Sequence, residues 1–290
     1  MYRIQRLGQG PIITASMLPT DIGDNINGPS LIRVPKWVSN PLGKYYLYFA
    51  HHGGKYIRLA YADQLTGPWQ IYQPGVLHLD QTICQRHIAS PDVHLDHENQ
   101  RLIMYYHGPY GDAQRSFVST SNDGLNFTTQ TNNLGPFYFR VFEHEGYHYA
   151  FAKNTNIDTV LLRSKDGMTN FEEGPHFLPN ARHTAILKRG DQLSLFYTRF
   201  RDAPEHIMVS NMSLQGDWQN WQPGEPSMVM KPEMDFEGVN EPLIPSQPGP
   251  IAGMVNQLRD PAIYEEDGKV YLLYSCAGEH AIAIGQLFEE

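Results

Sequence analysis

Two cysteines in 290 residues, Cys84 and Cys276, leave no disulfide framework, and neither stands in a metal-binding spacing. They read as small apolar strand residues in a reducing compartment. Charge is scarce: 18% of residues are charged, against about 25% in an average globular chain. Its sign opposes a nucleic-acid partner, because a net charge of −9 is the reverse of the clustered Lys and Arg that phosphate binding requires. No run of about 18 apolar residues is present to span a membrane. The start, MYRIQRLGQGPIITASM, has no apolar core followed by a small-residue cleavage site, so a secretory signal is not expected and the cytoplasm is the default location. Also missing is a long apolar pattern of period 3.6 with caps at both ends, so helices should be few and short.

What the chain does have is aromatics, 12% of it, and repetition. Five stretches share one grammar: NGPSLIRVPKWVSNPLGKYYLYFAHHGGKYIRLAYAD from Asn27, HIASPDVHLDHENQRLIMYYHG from His87, YFRVFEHEGYHYAFAKN from Tyr138, ARHTAILKRGDQLSLFYTRF from Ala181 and QLRDPAIYEEDGKVYLLYS from Gln257. In each, polar residues precede a short apolar strand, a turn follows, then a strongly aromatic strand, then a third, alternating one. Asp123-Gly124, Asp166-Gly167 and Asp267-Gly268 are hairpin-type turn signals. Dividing 290 residues by five gives 58 per unit, longer than common propeller repeats of roughly 40–50. The excess has a home in QPGEPSMVMKPEMDFEGVNEPLIPSQPGPIAGMVN, a Pro- and Gly-rich excursion before the fifth copy. Small sheets that cannot bury both faces alone stack around an axis. The expectation is an all-β, five-bladed β-propeller filling residues 1–290 as one domain, with the segment YRIQRLGQGPII pairing into the last blade to close the ring.

In a propeller the innermost strands line a central channel, so the residues that open them converge on one mouth. Those openings hold Asn27, His87 and Asp92, Arg140, Arg182 with His183, and Arg259 with Asp260. Such a ring of hydrogen bonders, arginines and carboxylates suits a hydroxylated, anionic small ligand. Each residue taken singly could instead pair with a neighbour to hold the blades in register. For the whole set that is costly, since buried charges without purpose destabilise. Thirteen histidines add candidates: His51 and His52 end YYLYFAHH, and His107 ends the equivalent LIMYYHG. A histidine can serve as general acid or base, though a hydrogen-bonded structural role is the commoner one. No HExxH pattern is present; no cofactor is required, while a metal ion in the channel is compatible with the His, Asp and Glu content.

These openings, SPDV and LRDP above all, resemble the five-bladed propeller glycoside hydrolases, the broad group of arabinanases, xylosidases and fructosidases. The resemblance spans essentially the whole chain and rests on short motifs. It implies three cooperating carboxylates from different blades: a base or nucleophile, a general acid and a third that tunes them. Asp92 matches the second-blade aspartate in context, Asp260 resembles the Arg-Asp-Pro aspartate of the fructosidase branch, and DFEGVNEPL offers Glu237 and Glu241 for the glutamate. One departure is plain: where the first blade should open on an aspartate, this chain reads NGPS, with Asp24 and Asp21 lying upstream.

The resemblance therefore implies hydrolysis of an oligosaccharide, with Glu241 as general acid (Glu237 its stand-in), Asp260 ionised beside Arg259, and Asp92 orienting the acid. Arg140, Arg182 and Arg259 would bind substrate, and three arginines suggest a uronate. Two alternatives stay open. One is a uronate lyase working with His and Arg; the other is a carbohydrate-binding propeller without turnover. Oligomeric state is not legible.

Overall fold

The computed structural model describes residues 2–19 and 23–290. Strands β1 (Tyr2–Arg6) and β2 (Ile13–Thr14) come first and both pair with the last strand of the chain. Blade I is β3 (Asn27–Arg33), β4 (Tyr45–Ala50), β5 (Tyr56–Ala62) and β6 (Gln70–His78); blade II is β7 (Ala89–Asp96), β8 (Arg101–Tyr110), β9 (Ala113–Ser121) and β10 (Thr128–Thr129). Blade III is β11 (Phe137–His144), β12 (Tyr147–Asn154), β13 (Asp158–Ser164) and β14 (Glu172–Phe177); blade IV is β15 (Ala181–Arg189), β16 (Gln192–Arg199), β17 (Ile207–Ser213) and β18 (Ser227–Met230). Blade V is β19 (Arg259–Glu266), β20 (Lys269–Cys276) and β21 (Ala281–Glu289), with β1 antiparallel on β21 from Tyr2↔Glu289 to Arg6↔Gly285. The five-bladed propeller expected from the repeats is the fold observed, and helix among the described residues is limited to short 3₁₀ turns.

The second strand of a blade is apolar on both faces because both faces are covered. In β4, Tyr45, Leu47 and Phe49 pack toward blade V with Tyr264 and Leu273, while Tyr46 and Tyr48 pack toward blade II with Val93 and Met104. The other junctions repeat this, each with its own apolar cluster. Each large side chain buried there contributes about 1.5–3 kcal/mol, which is why the aromatic strands are continuous apolar runs rather than alternating ones. Cys84 and Cys276 are buried free thiols within these clusters.

Two local expectations change. Of the Asp-Gly pairs, only Asp267-Gly268 makes a two-residue hairpin, both residues having positive φ. Asp123 and Asp166 instead sit between third and fourth strands. Each collects two backbone N–H groups on its own carboxylate, while Tyr48 or Tyr105 of the preceding blade donates to the adjacent glycine carbonyl. The Pro- and Gly-rich excursion begins by supplying β18, the outer strand of blade IV, and only then crosses to blade V.

Candidate functional site at the propeller mouth

All five inner strands carry the same irregularity near the mouth. Three inner-strand residues span two of the neighbouring strand between Asn27 and Ser30, Ala89 and Asp92, Phe137 and Arg140, Ala181 and Thr184, and Arg259 and Ala262. Such a β-bulge re-aims side chains and bends the strand. It aligns Gly28, Ser90, Tyr138, Arg182 and Asp260 in one layer, and Ser30, Asp92, Arg140, Thr184 and Ala262 in a deeper one. The polar openings are therefore not all at one phase, as the sequence alignment had them.

Gly28 explains the absent first-blade acid. Its φ is 61°, and a Cβ there would lie 3.1 Å from the Ser90 Cα. Its N–H instead points to Asp260 Oδ2 at 3.3 Å, so a carboxylate reaches the first blade from the fifth. Asp260 is fully buried; Oδ2 also accepts from Ser275 Oγ at 3.2 Å, and Oδ1 is in direct contact with His183 Nδ1. Burial, followed by the charges of Lys153, Arg182 and Arg140, pushes His183 well below the usual imidazole value. Both ring nitrogens of His183 and Oδ1 of Asp260 are buried without a hydrogen bond of ordinary geometry among the described residues; with Nδ1 turned to Asp260, a neutral ring would keep the Nε2 lone pair free. The Tyr138 ring meets His183 edge-on at 3.9 Å, and burial pushes its hydroxyl up to about 12.

Beside this pair runs a buried chain of charges. Glu205 takes Arg182 Nε at 2.8 Å and Thr198 Oγ1 at 2.6 Å on one oxygen; its other oxygen accepts from Ser246 Oγ and lies 3.1 Å from Arg259 Nε. Arg259 reaches Glu279 at 2.9 Å, and Glu279 accepts from Asn25 at 2.6 Å and Asn27 at 3.3 Å, with His52 Nδ1 at 3.5 Å. Burial alone would push the Glu279 carboxyl up. The His52 hydrogen bond and the charge of Arg259 outweigh it and hold the group well below the carboxylate range.

Off the axis the mouth opens into a cavity of about 340 Å³ whose lining includes His52, Gln114, Tyr138, Lys153, Asn154 and Arg182. His107 packs against Tyr138 at 4.3 Å, and His87 stands edge-on to His107 with Nε2 3.3 Å from Gln114 Oε1. Burial, then the nearby His87 and His52, pushes His107 well below its usual value. The structure thus brings together Asn27, His52, His87, His107, Arg182, His183, Arg259 and Asp260.

It does not bring the remaining candidates there. Asp92 and Arg140 face a channel cavity of about 170 Å³ beyond the bulge, where Asp92 Oδ2 accepts from Val141 N–H at 2.8 Å and pairs with His94 Nε2 at 2.9 Å. Glu237 is fully buried at the edge of blade V, enclosed by Arg6, Tyr274 and the amides of Glu233 and Met234, so it anchors the excursion and has no face left for substrate. Glu241 follows on that excursion, accepts no hydrogen bond on its carboxylate among the described residues and lines neither cavity. His51 turns into its own loop and accepts from Gly53 N–H at 2.9 Å. Asp24 is exposed, and Asp21 lies outside the described residues. The catalytic trio of Asp92, Glu241 and Asp260 is therefore dispersed, because the bulge turns Asp92 into the channel and the excursion carries Glu241 elsewhere.

Tyr138, Lys153, Glu205 and Glu279 escaped the sequence reading. Lys153 was within reach: it stands next to last in the aromatic strand YHYAFAKN as His107 does in LIMYYHG, and pairs with Phe137 as His107 pairs with Ala89. Among the described residues no group of three or more His, Cys, Asp or Glu side chains is arranged to hold a metal ion, and no helix is long and apolar enough to cross a membrane.

Among known proteins the chain is 36% identical over 324 aligned residues to uncharacterized protein R118 of Acanthamoeba polyphaga mimivirus, covering 98% of this chain and 90% of that one. No protein-family model matches. Similar solved structures include a family-43 β-xylosidase/α-arabinofuranosidase from a compost microbial metagenome in complex with xylotriose (TM-score 0.65, 12% identity, 99% of this chain and 96% of that one). Another is a family-43 enzyme of Xanthomonas citri complexed with xylotriose (TM-score 0.65, 11% identity, 97% and 90%). A third is the α-L-arabinofuranosidase of Lactobacillus brevis (TM-score 0.61, 12% identity, 94% and 94%). At these identities the shared property is the propeller fold.

Proposed function

Since the chain belongs to one family with the uncharacterized mimivirus protein, whose name carries no activity, we propose from its own mouth site that it hydrolyses a glycosidic bond of an oligosaccharide. The observation that carries this reading is the buried His183, in contact with Asp260 and packed against Tyr138, which lines the mouth cavity, with its Nε2 unpartnered among the described residues. A neutral imidazole fixed through its other nitrogen is built to take a proton from water, and Asp260 steadies the imidazolium that results. Tyr138 lies against both His107 and His183, keeps its hydroxyl proton, and can return a proton to the leaving oxygen. Asn154 and Gln114 offer hydrogen bonds to sugar hydroxyls, and the xylotriose bound by similar propellers supports a carbohydrate occupant. Free buried thiols at Cys84 and Cys276 support a reducing, cytoplasmic setting.

Elimination is a second reading with an observation of its own. Glu205 and Glu279 are held in ion pairs and Asp260 against His183, so the cluster offers no unengaged carboxyl to act as acid. A histidine base with cations around it is sufficient for a uronate lyase. Mass spectrometry of products from a panel of neutral and uronate-containing oligosaccharides tests both. Products that together gain one water are expected; cleavage without water gain, with new ultraviolet absorbance, moves the reaction to elimination, and binding without turnover makes the site a carbohydrate-binding module.

A further inference from the structure

The arginines that suggested an anionic sugar do not supply the charge for one. Arg182 and Arg259 are each hydrogen-bonded or ion-paired to Glu205, Arg259 also to Glu279, and Arg140 faces the channel. Lys153 is different. It is the penultimate residue of β12, is 5% exposed, and lines the mouth cavity. Its ammonium lies 4.2 Å from the Phe200 ring centroid and 5.5 Å from those of Phe137 and Tyr138. Among the described residues it makes no hydrogen bond and has no carboxylate within ion-pair distance. Aromatic faces compensate a cation only in part, and a buried ammonium without an anion is costly. Burial, and then Arg182, push it well below the usual lysine value.

Resting on the carbohydrate reading above, we infer that Lys153 is the specificity determinant of the mouth cavity and receives an anionic substituent of the sugar, a carboxylate or a sulfate ester. The anion would complete the ion pair that the protein leaves open. It would enter where the cavity also presents Arg182 and the edge of Tyr138, so the ring carrying it lies within reach of the His183 side of the pocket. Discrimination then follows from the open charge: a neutral sugar leaves the ammonium bare, whereas a charged one satisfies it.

The test is calorimetric binding of glucuronate, galacturonate, glucose 6-sulfate and glucose to the full chain and to Lys153→Met and Lys153→Arg. Wild type should favour an anionic probe over glucose. Lys153→Met should lower anionic-probe affinity about 10- to 100-fold, the range of one charged hydrogen bond, while Lys153→Arg retains the preference. Preference for the uronates identifies a carboxylate and preference for glucose 6-sulfate a sulfate. Because methionine suits a buried aromatic site, Lys153→Met should fold, and its melting temperature reports that directly. Anionic probes that bind no better than glucose, or bind Lys153→Met as they bind wild type, overturn the inference. Anion binding through Lys153 without turnover of any oligosaccharide would sink the hydrolase reading and leave this one standing.

Discussion

Among the described residues two aspartate–histidine pairs lie near the axis: Asp260 with His183 at the mouth, and Asp92 with His94 in the channel. Their chemistry is the same and their surroundings are not. His94 sits two residues from its partner on one strand with its side chain 39% exposed; burial works against its charge, but the Asp92 carboxylate outweighs it and raises the imidazole above its usual value. Asp92 is correspondingly lowered, against the effect of burial, by His94, Arg140 and the Val141 N–H. His183 also touches a carboxylate, which alone would favour the imidazolium. Complete burial and the charges of Lys153, Arg182 and Arg140 override it. The channel pair is an ion pair, and the mouth pair is a base with a holder. Residue types alone do not separate the two.

The largest effect should come from removing the mouth pair. His183→Gln or Asp260→Asn is expected to lower kcat by about 10²- to 10⁴-fold, the range for loss of a general base, with an unchanged circular-dichroism spectrum. His94→Gln and Asp92→Asn should leave kcat close to wild type. A loss at Asp92 as deep as that at Asp260 would erase the contrast and return the channel aspartate to the reaction.

A smaller effect should follow from disturbing the contact between blades I and V that sets Asp260. Gly28→Ala forces a side chain into left-handed backbone and against Ser90, where the Gly28 N–H now meets Asp260. It should cost about 1–3 kcal/mol of stability in urea titration and lower turnover as well. Ser90→Ala removes the hydroxyl neighbour without changing the backbone demand at position 28. If the two variants lose stability equally, crowding at Gly28 is not what holds the pair.

How much of this could be read in advance depends on whether it is periodic. Five strand triplets, their aromatic middle strands and the missing first-blade acid were legible because packing both faces of every blade imposes a repeating pattern on the chain. The bulge was not, because inserting one residue into each inner strand leaves the apolar pattern intact while changing which side chain meets the axis. So Asp92 looked equivalent to Asp260 and lies one layer deeper. Glu205 and Glu279 were hidden differently, in short segments after second strands where no pattern marks them; only their burial singles them out, Glu205 between Arg182 and Arg259 and Glu279 between Arg259 and His52.

The smallest effect is the most direct probe of the two pairs, because their histidines should bend the pH dependence of stability in opposite directions. His94 has a raised value in the folded chain. Its contribution is fully present below the unfolded value of 6.5 and is lost as pH rises through the folded one. His183 has a lowered value, so the unfolded chain takes up a proton first, and stability falls as pH drops below 6.5 toward the folded value. Urea midpoints measured across the histidine range should therefore show an alkaline fall that His94→Gln reduces, with raised His176 supplying the rest, and an acid fall that His183→Gln reduces. His107, also lowered and buried beside Tyr138, adds to the acid limb, so His107→Gln should flatten part of what His183→Gln leaves. If His183→Gln flattened the alkaline limb instead, the mouth histidine would be an imidazolium paired with Asp260. It would then act as a proton donor, and the order of proton transfers at the mouth would reverse.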